Sequence, residues 1–105
     1  MEIKSKKEII YILRINNHFI VVIEKIRNFL ETDPDFKLKI PKNLKDTDSL
    51  IETGVIDSFG VINLISFIEK AFSIKVEIED LTEETFSTLK NIEGYIIRKL
   101  IRKPQ

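Results

Sequence analysis

The residues best suited to carry chemistry lie in the stretch 50–60, where Asp57 and Ser58 end a polar loop and begin an apolar helix. A serine at the first turn of a helix holds its hydroxyl outside the core, among backbone N–H groups that no helical carbonyl can reach. An anion attached to Ser58 would be stabilised there. The same residues fit an ordinary helix start, with Asp57 as the cap and Gly54 in the turn. The residue chemistry alone leaves both interpretations open.

Other reaction chemistry has little basis in the sequence. A Ser-His-Asp triad would have to use His18, the only histidine, and Ser58 lacks the Gly-x-Ser-x-Gly surroundings of a hydrolase nucleophile. Without cysteine there is no disulfide, thiolate metal site or cysteine nucleophile, which is compatible with a reducing compartment. The acidic pairs lack histidine partners and calcium-loop spacing. These residues therefore disfavour a hydrolase, and we expect no metal site.

A net charge of zero hides a division along the chain. Residues 1–45 carry ten Lys/Arg against six Asp/Glu, residues 46–91 carry three against ten, and residues 92–105 carry four against one. The stretch 50–60 lies in the acidic block, which favours a partner with a basic surface over nucleic acid. No export signal and no apolar run long enough for a membrane span are found, so we expect a cytoplasmic protein.

Hydrophobic periodicity predicts three main helices in one small domain of 105 residues. They are expected at 18–31, at 58–72, and after the cap Thr88, with a short helix at 83–87. Residues 1–17 either form a separate short element, broken off at Asn16 and Asn17, or continue the first helix; we prefer the break. The predicted fold is an all-α antiparallel bundle of three main helices plus one short helix, with a long loop between the first and second main helices.

The two connections are expected to be pinned by apolar side chains, because a loop as long as 33–56 is uncommon in a small domain unless it is functional or anchored. In the segment 73–79 the alternating residues Ile74, Val76 and Ile78 are expected to enter the core of the bundle from an extended connector. The expected anchors of the first connection are Phe36, Leu38, Ile40, Leu44, Leu50, Ile51, Val55 and Ile56.

The second helix has an apolar core face flanked by Ile62 and Phe67, and a polar face that includes Asn63, Ser66 and Lys70. Phe59 lies on this polar face. It could fold back against the long loop, or it could contact a partner.

These features together resemble the acyl carrier protein family and its peptidyl and aminoacyl relatives. The resemblance begins with the pattern Leu50-x-Glu-Thr-Gly-x-x-Asp-Ser-x-Gly60, continues through the apolar helix to Phe72, and reaches the last helix, over about residues 18–102. The Glu-Thr-Gly and Ser-x-Gly details are most similar to the D-alanyl and stand-alone aminoacyl branch. Residues 18–103 would then be the carrier domain, preceded by an extension, 1–17, that is outside the family pattern.

The resemblance implies a carrier rather than an enzyme. Ser58 would carry a covalent 4′-phosphopantetheine arm added by a phosphopantetheinyl transferase, and Asp57 would cap the helix and help to engage that transferase. The arm would hold an acyl or aminoacyl group as a thioester, loaded by an adenylate-forming ligase and passed to acyl-processing enzymes of a specialised pathway. The partner-docking residues implied on the second helix are Phe59, Asn63, Ser66, Glu69 and Lys70.

The sequence departs from the family pattern at three places: Gly60 and Asn63 stand where fatty-acid carriers are commonly acidic, and Ser73 replaces a frequent glycine. These departures disfavour docking to fatty-acid synthesis enzymes. We expect a monomeric carrier; the alternative is a helical protein–protein interaction domain that carries nothing.

Overall fold

The computed structural model describes residues 22–101. The expected extension 1–17, its break from the first helix, and His18 lie outside these residues. Three α-helices are present in the described part: α1 at Val22–Thr32, α2 at Gly60–Phe72 and α3 at Leu89–Ile101. The described chain has no strand, so the predicted all-α bundle with a long loop between its first two main helices is confirmed. No helix in residues 22–101 has the length and apolar character needed to cross a membrane.

Each helix buries one apolar stripe at helical spacing. Helices α1 and α3 pack against each other. Helix α2 joins α1 through the rings of Phe29 and Phe67, which stack with centroids 4.1 Å apart and planes 9° apart. The buried apolar core consists of Val22, Ile26, Leu30, Phe36, Leu44, Leu50, Val55, Ile56, Leu64, Ile68, Phe72, Ile74, Phe86, Leu89, Ile92, Tyr95 and Ile96.

The connection between α1 and α2 is pinned to the bundle as expected. Arg27 donates to the carbonyl of Leu44 at 2.8 Å and to Asp46 at 2.7 Å, while the backbone N–H of Lys90 donates to the carbonyl of Asp46 at 3.0 Å. Five of its expected anchors, Phe36, Leu44, Leu50, Val55 and Ile56, are buried, and Ile40 is partly buried.

Two of the expected anchors are wrong. Leu38 is 91 % exposed and Ile51 is 48 % exposed. Both lie within turns of the connection, where consecutive side chains point in different directions, so that Phe36 and Leu50 take the places in the core.

The predicted short helix at 83–87 is wrong in position. Thr82 accepts a hydrogen bond from the N–H of Thr85 at 3.1 Å, but this turn does not propagate because Thr88 already caps α3 by accepting from the N–H of Asn91 at 3.0 Å. The short helix of the described chain is instead a 3₁₀ helix at Ile78–Asp80. Asp80 accepts a hydrogen bond from the N–H of Glu77 at 3.2 Å, which closes that turn.

This 3₁₀ turn also overturns one expectation about the second connection. Ile74 is buried and Val76 is partly buried, as expected, but Ile78 is 82 % exposed because the extended alternation ends where the turn begins. Ser73 ends α2 with φ of +54°, in the left-handed region that favours glycine. The glycine that the resemblance leads us to expect here would adopt this backbone conformation without strain.

Candidate functional site

Asp57 caps α2, as its sequence position predicts. Its Oδ1 accepts hydrogen bonds from the N–H of Phe59 at 3.1 Å and of Gly60 at 2.7 Å, and its carbonyl accepts from the N–H of Val61 at 3.1 Å. The pKa of Asp57 lies below its usual range, first because the Gly60 N–H stabilises the carboxylate and then because Lys39 does. The cap is therefore an anion at neutral pH, set against the positive end of α2.

Ser58 lies between this cap and the first helical residue. Its side chain is exposed to solvent. Among the described residues its hydroxyl makes no hydrogen bond, although neighbouring serine and threonine hydroxyls at Thr53 and Ser87 bond to backbone carbonyls. Ser58 thus lies within a hydrogen-bonded turn, with its hydroxyl oxygen exposed to solvent.

A second charged group reaches this turn from the long connection. The ammonium of Lys39 lies 3.4 Å from Oδ2 of Asp57, the carboxylate oxygen that does not cap the helix. The two residues are 18 positions apart. Nothing in the local sequence pattern marks Lys39 as a site residue, and sequence reasoning missed it.

The turn that holds Lys39 is fastened to α2 at two further points. Phe36 is fully buried, and its ring lies so close to Gly60 that a Cβ atom built on Gly60 would be 2.9 Å from Cε1 of Phe36. The side-chain amide of Asn63 donates to Oδ2 of Asp33 at 3.1 Å and to Oδ2 of Asp35 at 2.9 Å. We call residues 33–40 the docked turn, because these contacts fix it against the first two turns of α2.

An apolar groove of about 550 Å³ opens beside Ser58. One wall is α2 and the opposite wall is the segment 81–86, while the connection before Asp57 closes one end. Sequence reasoning missed this groove, because it placed Ile62 on the flank of the core, whereas Ile62 is 67 % exposed on the groove wall. The side chains of its wall are mainly apolar: Ile51, Ile56, Val61, Ile62, Ile65, Leu81 and Phe86.

The predicted docking residues divide into two groups. Phe59 is 85 % exposed, so it does not fold back against the loop, and Ser66 and Lys70 are exposed on the same side of α2. Asn63 and Glu69 make hydrogen bonds within the fold: Asn63 donates to the docked turn, and Glu69 accepts from the N–H of Val76 at 2.9 Å. The exposed stripe of α2 is therefore Phe59, Ile62, Ser66 and Lys70.

The described residues offer no metal centre. Within residues 22–101, no three His, Cys, Asp or Glu side chains come together where they could hold a metal ion.

The fold and the site together define a class of protein: a small helical bundle that presents one free serine hydroxyl at a capped helix start beside an apolar groove. The family model for the phosphopantetheine attachment site matches residues 37–96. This match covers more than half of the chain, and the chain belongs to that family. The prosthetic group of the family is covalent 4′-phosphopantetheine. The residues present fit this group, because a free hydroxyl, a nearby ammonium and an apolar groove suit a phosphodiester followed by a partly apolar arm.

Two individual proteins extend the comparison. The chain is 42 % identical over 53 residues to a D-alanyl carrier protein of Streptococcus uberis, a match that covers 50 % of this chain and 66 % of that protein. The chain therefore spans slightly less than two thirds of that curated relative.

The chain is also similar to a chain in the crystal structure of Bradyrhizobium japonicum glycine:[carrier protein] ligase complexed with glycylated carrier protein. The TM-score is 0.53, the identity 19 %, and the match covers 70 % of this chain and 90 % of that chain. At this identity the likeness supports the fold alone.

Proposed function

We propose that this protein is a carrier in which Ser58 bears the 4′-phosphopantetheine arm and the arm holds an acyl or aminoacyl group as a thioester. The observation that carries the proposal is the Ser58 hydroxyl, which is exposed, without a partner among the described residues, and fixed by the Asp57 cap inside the segment that matches the family. The arm supplies the thiol that a chain without cysteine lacks.

Attachment of the arm to Ser58 is called loading below. In this reaction the Oγ atom of Ser58 forms a bond to the phosphorus that carries the pantetheine of coenzyme A. The pyrophosphate bond of coenzyme A breaks, 3′,5′-ADP leaves, and the serine proton passes to a base of the transferase or to solvent. Asp57 holds the backbone of the first turn in place during this exchange and presents its carboxylate to the transferase. The chain itself performs no catalysis.

Its partners are a phosphopantetheinyl transferase, an adenylate-forming ligase that attaches the acyl or aminoacyl group to the arm, and the enzymes that use this group. The exposed stripe of α2 suits such docking, because Phe59 is an exposed aromatic residue next to the proposed attachment point. The similarity to a D-alanyl carrier protein favours an amino acid as the cargo. We infer a cytoplasmic location, because the transferase, the ligase and coenzyme A act in the cytoplasm. We further infer a monomer whose carrier domain covers residues 18–103.

The alternative function is a helical interaction domain that carries nothing. It would leave the free hydroxyl of Ser58 and the match to the family at residues 37–96 without a role. The two functions differ in one observable, the covalent state of Ser58.

The test is incubation of the protein with coenzyme A, Mg²⁺ and a broad-specificity transferase, followed by intact-mass spectrometry. We expect one phosphopantetheinyl group on the wild-type protein and none on Ser58→Ala. Ser66→Ala is the matched control, since it removes an exposed hydroxyl from the same helix, and it should be loaded as the wild type is. A wild-type protein that stays unmodified with several transferases, or a Ser58→Ala variant that gains the group, would contradict the proposal.

A further inference from the structure

Both carboxylate oxygens of Asp57 have partners, and they have different partners. Oδ1 accepts the two backbone N–H groups at the start of α2, while Oδ2 faces the ammonium of Lys39 at 3.4 Å. The side chain of Lys39 is 45 % exposed. An ammonium group has three N–H donors, so one contact to Oδ2 leaves donors for another acceptor at the same turn.

Lys39 is held in this position by the docked turn. The N–H of Lys39 donates to the carbonyl of Phe36 at 2.8 Å, and Phe36 is the fully buried residue whose ring lies against Gly60. The base of the Lys39 side chain is thus fixed relative to the residue two positions after Ser58. A lysine on a free loop would lose this advantage, because ordering its backbone would cost conformational entropy.

The charge near Ser58 is unbalanced once the hydroxyl carries a phosphodiester. Asp57 is its neighbour in the chain, and Glu83 lines the groove with it. A phosphodiester adds a further negative charge to this group. Among the described residues, Lys39 is the cation that ion-pairs with Asp57 at this turn.

We propose, on the basis of the proposed attachment to Ser58, that Lys39 is a phosphate-positioning residue. In the unloaded protein it pairs with Asp57, and in the loaded protein its ammonium also pairs with the phosphodiester on Ser58. Lys39 thereby offsets the repulsion between the phosphodiester and the Asp57 carboxylate and restricts the directions in which the arm leaves the protein.

The experiment measures whether loading and Lys39 act on stability together or independently. Thermal unfolding midpoints are compared for the unloaded and the loaded forms of the wild type, Lys39→Gln, Lys39→Arg and Lys37→Gln, with loading verified by intact mass. Lys37→Gln is the matched control: Lys37 is an exposed lysine of the same docked turn and forms no ion pair among the described residues.

We expect loading to shift the midpoint of the wild type upward, relative to the shift in Lys39→Gln, by about 2–4 °C at low salt. Lys37→Gln and Lys39→Arg should show the same change in midpoint on loading as the wild type. The difference between the wild type and Lys39→Gln in this change should shrink in 1 M NaCl, because salt screens exposed charges. A Lys39 that only pairs with Asp57 would change both forms equally, so its substitution would leave the loading shift unchanged.

Equal loading shifts in the wild type and in Lys39→Gln would overturn the inference while the proposed function stands. A Lys39→Gln variant that cannot be loaded although Lys39→Arg can would also overturn it, since Lys39 would then be a contact for the transferase. A wild type that cannot be loaded would overturn the proposed function itself, and the mass spectrum shows this before any unfolding is measured.

Discussion

The ring of Phe36 occupies the space that a side chain at position 60 would need. A Cβ atom on Gly60 would lie 2.9 Å from Cε1 and 3.4 Å from Cζ of Phe36, and Phe36 is fully buried. The missing side chain is therefore what lets the long connection pack against the start of α2. An acidic residue at this position would not fit unless the ring of Phe36 moved.

Gly60→Ala should lower the free energy of unfolding by about 1–3 kcal/mol, because the added methyl group overpacks a buried ring that cannot move away. Denaturant titration gives this value directly. The control is Gly94→Ala in the middle of α3, where the nearest atom to a new Cβ is the flexible tip of Arg98 at 3.4 Å. It should raise the free energy of unfolding by up to about 1 kcal/mol through helix propensity. A Gly60→Ala variant that is as stable as the wild type, or more stable, would refute the packing argument.

Asn63→Asp should destabilise the protein by about 1–3 kcal/mol at pH 7. The change replaces an amide donor to Asp33 and Asp35 with a third carboxylate, which loses two charge-assisted hydrogen bonds and adds repulsion. The loss should diminish in high salt, because salt screens the repulsion between the carboxylates.

Ser66→Asp is the control for that substitution, because Ser66 is exposed on the same helix. It should change the free energy of unfolding by less than about 0.5 kcal/mol. If Asn63→Asp is as stable as Ser66→Asp at pH 7 and low salt, Asn63 does not hold the docked turn.

The hydroxyl of Tyr95 donates to Oδ2 of Asp80 at 2.6 Å, and this bond lowers the pKa of Asp80. The pKa of Tyr95 is raised, first by burial and then by its bond to Asp80. Tyr95→Phe should reduce the free energy of unfolding at pH 7 by about 1–2 kcal/mol, because it removes a largely buried bond to a charged acceptor.

The pH dependence of that loss has a definite sign at each end. Because the folded pKa of Asp80 is depressed, its contribution is complete above about pH 4 and is lost as the pH falls through the folded value. Because the pKa of Tyr95 is raised, the wild type also loses stability as the pH rises above about 10. Denaturant curves for the wild type and Tyr95→Phe should therefore converge in acid and in alkali. A difference that stays constant from pH 2.5 to 7 would contradict the assignment of the bond.

Phe59→Ala should leave the thermal midpoint unchanged, because the side chain is 85 % exposed. As the loss of a docking contact, it should raise the KM of the cognate ligase for the phosphopantetheinylated carrier by about tenfold. Steady-state kinetics with the phosphopantetheinylated protein gives this value. Ile78→Ala is the control, since Ile78 is 82 % exposed but lies on the 3₁₀ helix and not on the exposed stripe of α2. Equal kinetics for both variants would remove Phe59 from the docking surface.

Helical periodicity was sufficient to predict the three main helices, the cap at Asp57 and the position of Phe59 on the polar face of the second helix, because these features depend on residues within one or two turns of each other. It left open whether Phe59 folds back against the loop. The position of the short helix depends on a competition that propensity does not resolve, in which Thr88 caps α3 and leaves the turn after Thr82 too short. The pattern of alternation likewise could not show that a 3₁₀ turn exposes Ile78.

The capped helix start and the exposed side chain of Ser58 were predictable from the sequence, but the residues that surround them were not. Lys39 reaches Asp57 over 18 residues, and Asn63 reaches Asp33 over 30, through a connection without regular structure. Such pairings depend on how the connection packs, which no local sequence period encodes. Asn63 was therefore interpreted as a partner-facing residue, although its amide is engaged within the protein.

The docked turn sets a limit on exchanging parts between carriers. Its contacts to α2 pair residues on two separate segments, Phe36 with Gly60 and Asp33 and Asp35 with Asn63. A chimera that imports α2 alone from a carrier with acidic residues at positions 60 and 63 would bring a steric clash and a group of like charges to the start of α2. Residues 33–72 should therefore be exchanged together, so that both sides of these contacts come from the same protein.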